Sequence, residues 1–96
     1  MGAKTMSDPL LLIEVLSPSN EAITRANVWT YITIPSVQEI LLLRSLAIGG
    51  ELLHRGPDGT WSEAPTMLDD RARLELTSIG FNAPLRDLYR TTSLAR

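Results

Sequence analysis

The sequence predicts an α/β fold, a mixed sheet with one crossover helix followed by an antiparallel meander. Three observations carry that expectation. Two apolar runs, Leu10-Leu11-Leu12-Ile13 continued by Val15-Leu16 and Ile40-Leu41-Leu42-Leu43, are short enough for strands and dense enough to be covered on both faces. Between them the apolar residues recur at helical rather than alternating spacing. Beyond Ile48 the chain changes to shorter, more polar stretches separated by turn residues, the pattern of antiparallel strands.

The first strand spans Leu10 to Leu16 and closes on Ser17-Pro18-Ser19-Asn20, which offers several N-caps for a helix. That helix runs from Glu21 to about Ile32. Its expected buried stripe is Ala22, Ala26, Trp29 and Ile32, with Ile23 and Tyr31 flanking, and Pro35 forces a stop. Val37 to Arg44 is the second strand, and two buried strands around one helix predict a right-handed parallel crossover. Ile48 to Arg55 reads as a third strand despite Gly49-Gly50. Gly56-Pro57-Asp58-Gly59 is a turn, and Thr60-Trp61-Ser62 begins the returning strand. Arg73-Leu74-Glu75-Leu76-Thr77 alternates as a half-buried strand does. Ser78 to Phe81 then bends, and Pro84 suits N1 of a short helix through Leu88 and Tyr89. With no internal repeat or linker, residues 1–96 read as one domain, with a flexible leader over 1–9 and a flexible tail over 91–96.

Composition narrows the function classes. The hydrophobic fraction is 44% and the mean hydropathy +0.03, values of a folded globular chain. No apolar run approaches the roughly 20 residues that span a bilayer, so no membrane is expected as partner. A leader without an apolar region and the absence of cysteine point to the cytoplasm and exclude disulfides and thiolate zinc sites. Nine basic against eleven acidic residues give a net charge of −2, and the arginines are scattered. A phosphate-gripping protein usually carries a basic face, so charge adds nothing to a nucleic-acid reading.

Glu14 is the first candidate for chemistry, because it interrupts the first apolar run. On a strand it shares a face with Leu12 and Leu16. An ionised carboxylate in a dry sheet needs a cation, a metal or hydrogen-bond donors. The bland alternative is an edge position, or an ion pair with an arginine. Asp8 lies six residues upstream, roughly 20 Å away along an extended strand, and reads as a turn residue before Pro9. Glu21 is explained by the helix dipole. His54 reads as a surface or edge residue, and Asp69-Asp70 beside Arg71 and Arg73 as a solvated ionic loop. Trp29, Tyr31, Trp61, Phe81 and Tyr89 read as packing residues rather than base-stacking platforms.

The string Pro9 to Asn20, PLLLIEVLSPSN, with the helix ending in Tyr31, the segment Ile34-Pro35-Ser36-Val37-Gln38-Glu39-Ile40 and the later Asp58-Gly59-Thr60-Trp61, resembles the Uma-type family of restriction-endonuclease-like proteins. The resemblance implies a partial restriction-endonuclease-like core of the PD-(D/E)XK superfamily, with this chain as its carboxy-terminal part. It further implies magnesium as cofactor, DNA as substrate and phosphodiester hydrolysis as reaction. Glu14 matches the metal-binding acid. Asn27 falls where many members carry a catalytic lysine on the helix, and Leu16 occupies the third position of the E-x-K pattern. Arg25 is a conceivable substitute for that lysine, although it points about 200 degrees around the helix from Asn27. The family's strand with the first metal-binding aspartate would precede the segment seen here.

An uncovered apolar edge along Leu10 to Leu16 predicts self-association into a homo-oligomer. Two functions are therefore carried forward. One is a metal-dependent nuclease-like protein, incomplete or inactive as this chain, and the other is a non-catalytic oligomerisation module of the same fold.

Overall fold

The computed structural model describes residues 9–89. The elements follow in the order β1 (Leu11–Leu16), α1 (Glu21–Tyr31), β2 (Glu39–Arg44), β3 (Gly50–His54), β4 (Thr66–Leu68), β5 (Arg73–Leu76), β6 (Phe81–Pro84) and a 3-10 helix (Leu85–Tyr89). The sequence-based expectations for 1–8 and 91–96, including Asp8, lie outside the described residues.

Strands β1 to β4 form one mixed sheet in chain order. β1 and β2 are parallel, joined across α1, and β2–β3 and β3–β4 are antiparallel. β5 and β6 make a separate antiparallel hairpin. The fold is thus mixed α/β with one crossover helix and a meander. The reason lies in β2: Ile40, Leu41 and Leu42 are at most 1% exposed, so both faces of this strand must be covered.

Alternation along β2 divides the core in two. Leu41 points into a cluster with Leu52, Leu74, Leu76, Leu85 and Tyr89 under the hairpin. Ile40 and Leu42 point to the helix side, with Leu16, Val37, Val28 and Tyr31. Burying each such aliphatic side chain contributes roughly 1.5–3 kcal/mol relative to leaving it exposed. The Tyr89 hydroxyl lies 2.8 Å from the Arg44 carbonyl and 3.0 Å from that of Gly49, which ties the 3-10 helix to the β2–β3 connection.

Four local expectations are corrected. First, β1 is only partly covered on the face away from the helix: Leu11 packs against the cluster under the hairpin, but Ile13 and Val15 are each 51% exposed because β1 is the edge of the sheet. Second, the buried face of α1 is not Ala22, Ala26 and Trp29. Thr24 is buried and Val28, Tyr31 and Ile32 pack on the sheet, whereas Trp29 is 73% exposed. Third, Trp61 makes a single bridge to Arg55, and the returning strand is Thr66–Leu68. Fourth, Phe81 to Pro84 is a strand, not a bend into a helix start; the 3-10 helix begins at Leu85.

Candidate functional site around Glu14

Glu14 sits mid-way along β1, opposite Leu42 of β2, which is opposite Glu51 of β3. Partners in register share a face, so the row Glu14, Leu42, Glu51 runs across three strands beneath α1. The helix lies over β2 and reaches both flanking strands. On the β1 side, the Tyr31 hydroxyl donates to Glu14 Oε2 at 2.6 Å. That bond to a carboxylate, with some burial, raises the phenol above its ordinary pKa. Glu14 itself is half-buried, and its other oxygen has no hydrogen-bond partner among the described residues.

On the β3 side, Arg25 grips Glu51 with both terminal nitrogens, at 3.1 and 2.7 Å, while its Nε donates to Glu21 at 2.8 Å. Arg44 adds a second cation 3.7 Å from Glu51. The guanidinium of Arg25 holds the buried Glu51 carboxyl below the ordinary carboxylate range, and the same bonds push Arg25 up. Arg25 is therefore committed to Glu51 and Glu21, on the flank of α1 away from Glu14.

Asn27 is exposed and lies one helical turn before Tyr31. Four residues amount to about 40 degrees of rotation, so Asn27 and Tyr31 share the flank that overhangs β1. Glu14 and Asn27 thus stand on adjoining elements, with Tyr31 making the direct contact. Glu21 pairs with Arg25 rather than approaching Glu14. Asp69 accepts the Arg71 backbone N–H at 2.9 Å, and both Asp69 and Asp70 are exposed.

Two polar groupings escape a reading of the sequence alone. One is Glu51, whose partner Arg25 lies 26 residues away. The other surrounds Glu39, 1% exposed, whose Oε1 accepts the Ser78 backbone N–H at 2.9 Å and the Ser78 hydroxyl at 2.6 Å. His54 Nδ1 stands 3.1 Å from Oε2 of the same carboxylate. His54 is therefore not a plain edge residue. The signal available in the sequence was a glutamate at the head of each buried strand, Glu39 before Ile40 and Glu51 before Leu52.

No group of three or more His, Cys, Asp or Glu side chains with metal-binding spacing occurs among the described residues. Magnesium is commonly held by only one or two protein carboxylates together with waters and substrate phosphate oxygens. Glu14, with one oxygen oriented by Tyr31 and the other unengaged, fits the part of a single such carboxylate.

No family model matches the chain. It is similar to the uncharacterized protein slr1290 of Synechocystis sp., with 39% identity over 83 residues. The match takes in 85% of this chain and 43% of that protein, so the chain spans less than half the length of its relative.

Proposed function

We propose that this chain is a restriction-endonuclease-like protein segment that contributes one carboxylate, Glu14, to a magnesium-dependent site for phosphodiester hydrolysis in DNA. The observation that carries the reading is the bond from Tyr31 to Glu14 Oε2, which leaves Oε1 unengaged among the described residues, on an edge strand. A carboxylate oriented from the scaffold in this way meets the requirement that a metal ligand be held by its supporting residues. Magnesium bound there would polarise a phosphate oxygen and lower the pKa of a coordinated water. Tyr31 orients the ligand. Asn27, on the same flank of α1, offers an amide that can hydrogen-bond a water or a phosphate oxygen but brings no positive charge. The further carboxylate of such a site would come from a strand added beside β1, in a longer chain or in a second copy. On this reading the segment alone is incomplete or inactive.

The test is cleavage of supercoiled plasmid with magnesium or manganese, comparing the parent with Glu14→Gln. Manganese binding lost in the variant, together with any metal-dependent nicking the parent shows, supports the reading. Equal nicking by both exposes a contaminant, and absence of nicking with unaltered manganese binding in the variant sinks it.

The β1 edge favours a second reading, a non-catalytic oligomerisation module. The carbonyls of Leu10 and Leu16 accept bonds from the β2 side, so the even-numbered residues of β1 turn their backbone groups inward and Leu11, Ile13 and Val15 turn theirs outward. Among the described residues only the Val15 carbonyl of that outer row is taken, by the Asn20 side chain at 3.3 Å. Unpaired backbone groups beside the exposed Ile13 and Val15 side chains are a template for strand addition. A second copy pairing edge to edge would close it. Sedimentation of the parent against Ile13→Lys checks this: the module reading expects a dimer that the variant dissociates, and a monomeric parent refutes it.

A further inference from the structure

On the opposite flank of α1 from Glu14, a cleft of about 480 Å³ opens between the helix, β3 and the segment after Trp61. Its size falls in the range of small-molecule sites, about 300–1,000 Å³. Val28, Ile32, Leu42 and Leu53 make an apolar floor, and Trp29 and Trp61 stand at its sides. We propose that this cleft binds a small organic cation, an ammonium group carried on an apolar or aromatic body. The inference does not depend on the role of Glu14.

Charge decides the class of ligand. The ionised residues lining the cleft are Arg25, Glu51 and Glu63, one guanidinium against two carboxylates. Arg25 is already bound by Glu51 and Glu21, so it offers an anion little. Glu63 is exposed and has no ion pair or hydrogen bond among the described residues. Among the lining residues the free charge is therefore negative, and Arg55, outside the lining, is spent on the carbonyls of Ile32, Ile34 and Pro35.

The exposed aromatic wall, Trp29, points the same way, because the face of an indole attracts cations, whereas the Trp61 ring already carries Arg55. Trp61 is held firmly: its Nε1–H donates to the Ile32 carbonyl at 3.2 Å, and Arg55 lies 5.0 Å from its ring centroid while bonding the carbonyls of Ile32, Ile34 and Pro35. Trp29, by contrast, is 73% exposed, a large apolar surface left in water at the lip of an apolar cleft. Burying that ring against a ligand recovers apolar area, and its face adds a cation–π contact.

The experiment titrates the protein with three probes of similar shape, benzyltrimethylammonium, benzyl alcohol and benzoate, and follows tryptophan fluorescence and binding heat at constant ionic strength. Benzyltrimethylammonium is expected to saturate, with the alcohol about tenfold weaker and benzoate weaker still. Glu63→Gln and Trp29→Ala alter exposed side chains and should fold as the parent does. Glu63→Gln should weaken the cation by about threefold or more while leaving the alcohol unchanged, and Trp29→Ala should weaken both. Equal affinity for alcohol and cation, tighter benzoate, no saturation by the cation, or cation binding untouched by both variants would each overturn the proposal.

Discussion

Glu14 and Glu51 lie on one row of the sheet, either side of the buried Leu42, and α1 engages both, through Tyr31 and Arg25 respectively. Their Cα atoms are two strand spacings apart, about 10 Å. The two carboxylates have opposite characters. Glu51 is neutralised by two arginines and 7% exposed in its side chain, whereas among the described residues Glu14 has one neutral donor and one unengaged oxygen. The same helix thus consumes one acid in structure and leaves the other available.

Arg25→Ala tests the first half of that relationship. Removing the partner of a buried carboxylate costs about 3–5 kcal/mol when the pair is fully buried. Arg25 is 40% exposed and Arg44 remains near Glu51, so about 2 kcal/mol is expected at neutral pH. Because Arg25 holds Glu51 low, its contribution is complete above the ordinary carboxylate value near 4.3 and is lost as pH falls through the depressed folded value. Urea unfolding of parent and variant should show the gap constant from about pH 7 down to about pH 5 and narrowing below about pH 4. A gap independent of pH would show that Arg25 acts through packing alone.

The other half rests on Tyr31. Tyr31→Phe removes one hydrogen bond to a half-buried carboxylate and should cost about 1 kcal/mol. The phenol is raised in the folded protein, so its contribution is complete below the ordinary tyrosine value near 10 and is lost as pH climbs through the higher folded value. Absorbance titration near 295 nm, parent minus variant, should place the ionisation of Tyr31 above that of a free tyrosine. A difference curve centred at the ordinary value would mean that the bond to Glu14 does not persist in solution.

How much of this was legible depends on which interactions are local. The two apolar runs and the helix between them show in the sequence because each element carries its own periodicity, and Glu14 shows because it breaks one of them. The inward face of α1 does not. Thr24 and Arg25 sit where a hydrophobic stripe would be sought, the first buried and the second bound to Glu51, while Trp29 faces outward. A carboxylate's partner 26 or 39 residues distant, as for Glu51 with Arg25 or Glu39 with Ser78, leaves no mark in any local window.

Glycine supplies a third prediction. A Cβ at Gly50 would meet the Leu42 carbonyl oxygen at 2.4 Å, a backbone atom that cannot swing aside without moving β2. Gly50→Ala should therefore cost about 3 kcal/mol, the upper end for overpacking. Gly59, at φ +87° in an open turn with nothing near its Cβ position, should cost about 1–2 kcal/mol as alanine, from backbone conformation alone. Thermal unfolding of the two variants ranks them, and a milder loss at position 50 would disprove the close β2–β3 approach.

The buried Glu39 makes a prediction about a proton. Its Oε2 is shielded from water and has no other hydrogen-bond donor among the described residues, yet His54 Nδ1 lies 3.1 Å away. A buried acceptor left unmade costs about 1–3 kcal/mol, so the neutral imidazole should carry its hydrogen on Nδ1 and present Nε2 as an acceptor. Long-range nitrogen–proton correlation spectra of His54 report the tautomer directly. His54→Ala should lose about 1–3 kcal/mol in urea unfolding, and His54→Asn, whose amide can donate from a similar position, should lose less. Ser78→Ala, leaving its backbone N–H bond in place, should cost about 1 kcal/mol. An Nε2–H tautomer together with an unaltered His54→Ala stability would leave Glu39 Oε2 facing the ring without a bond, and the Glu39 carboxylate would then be held by Ser78 alone.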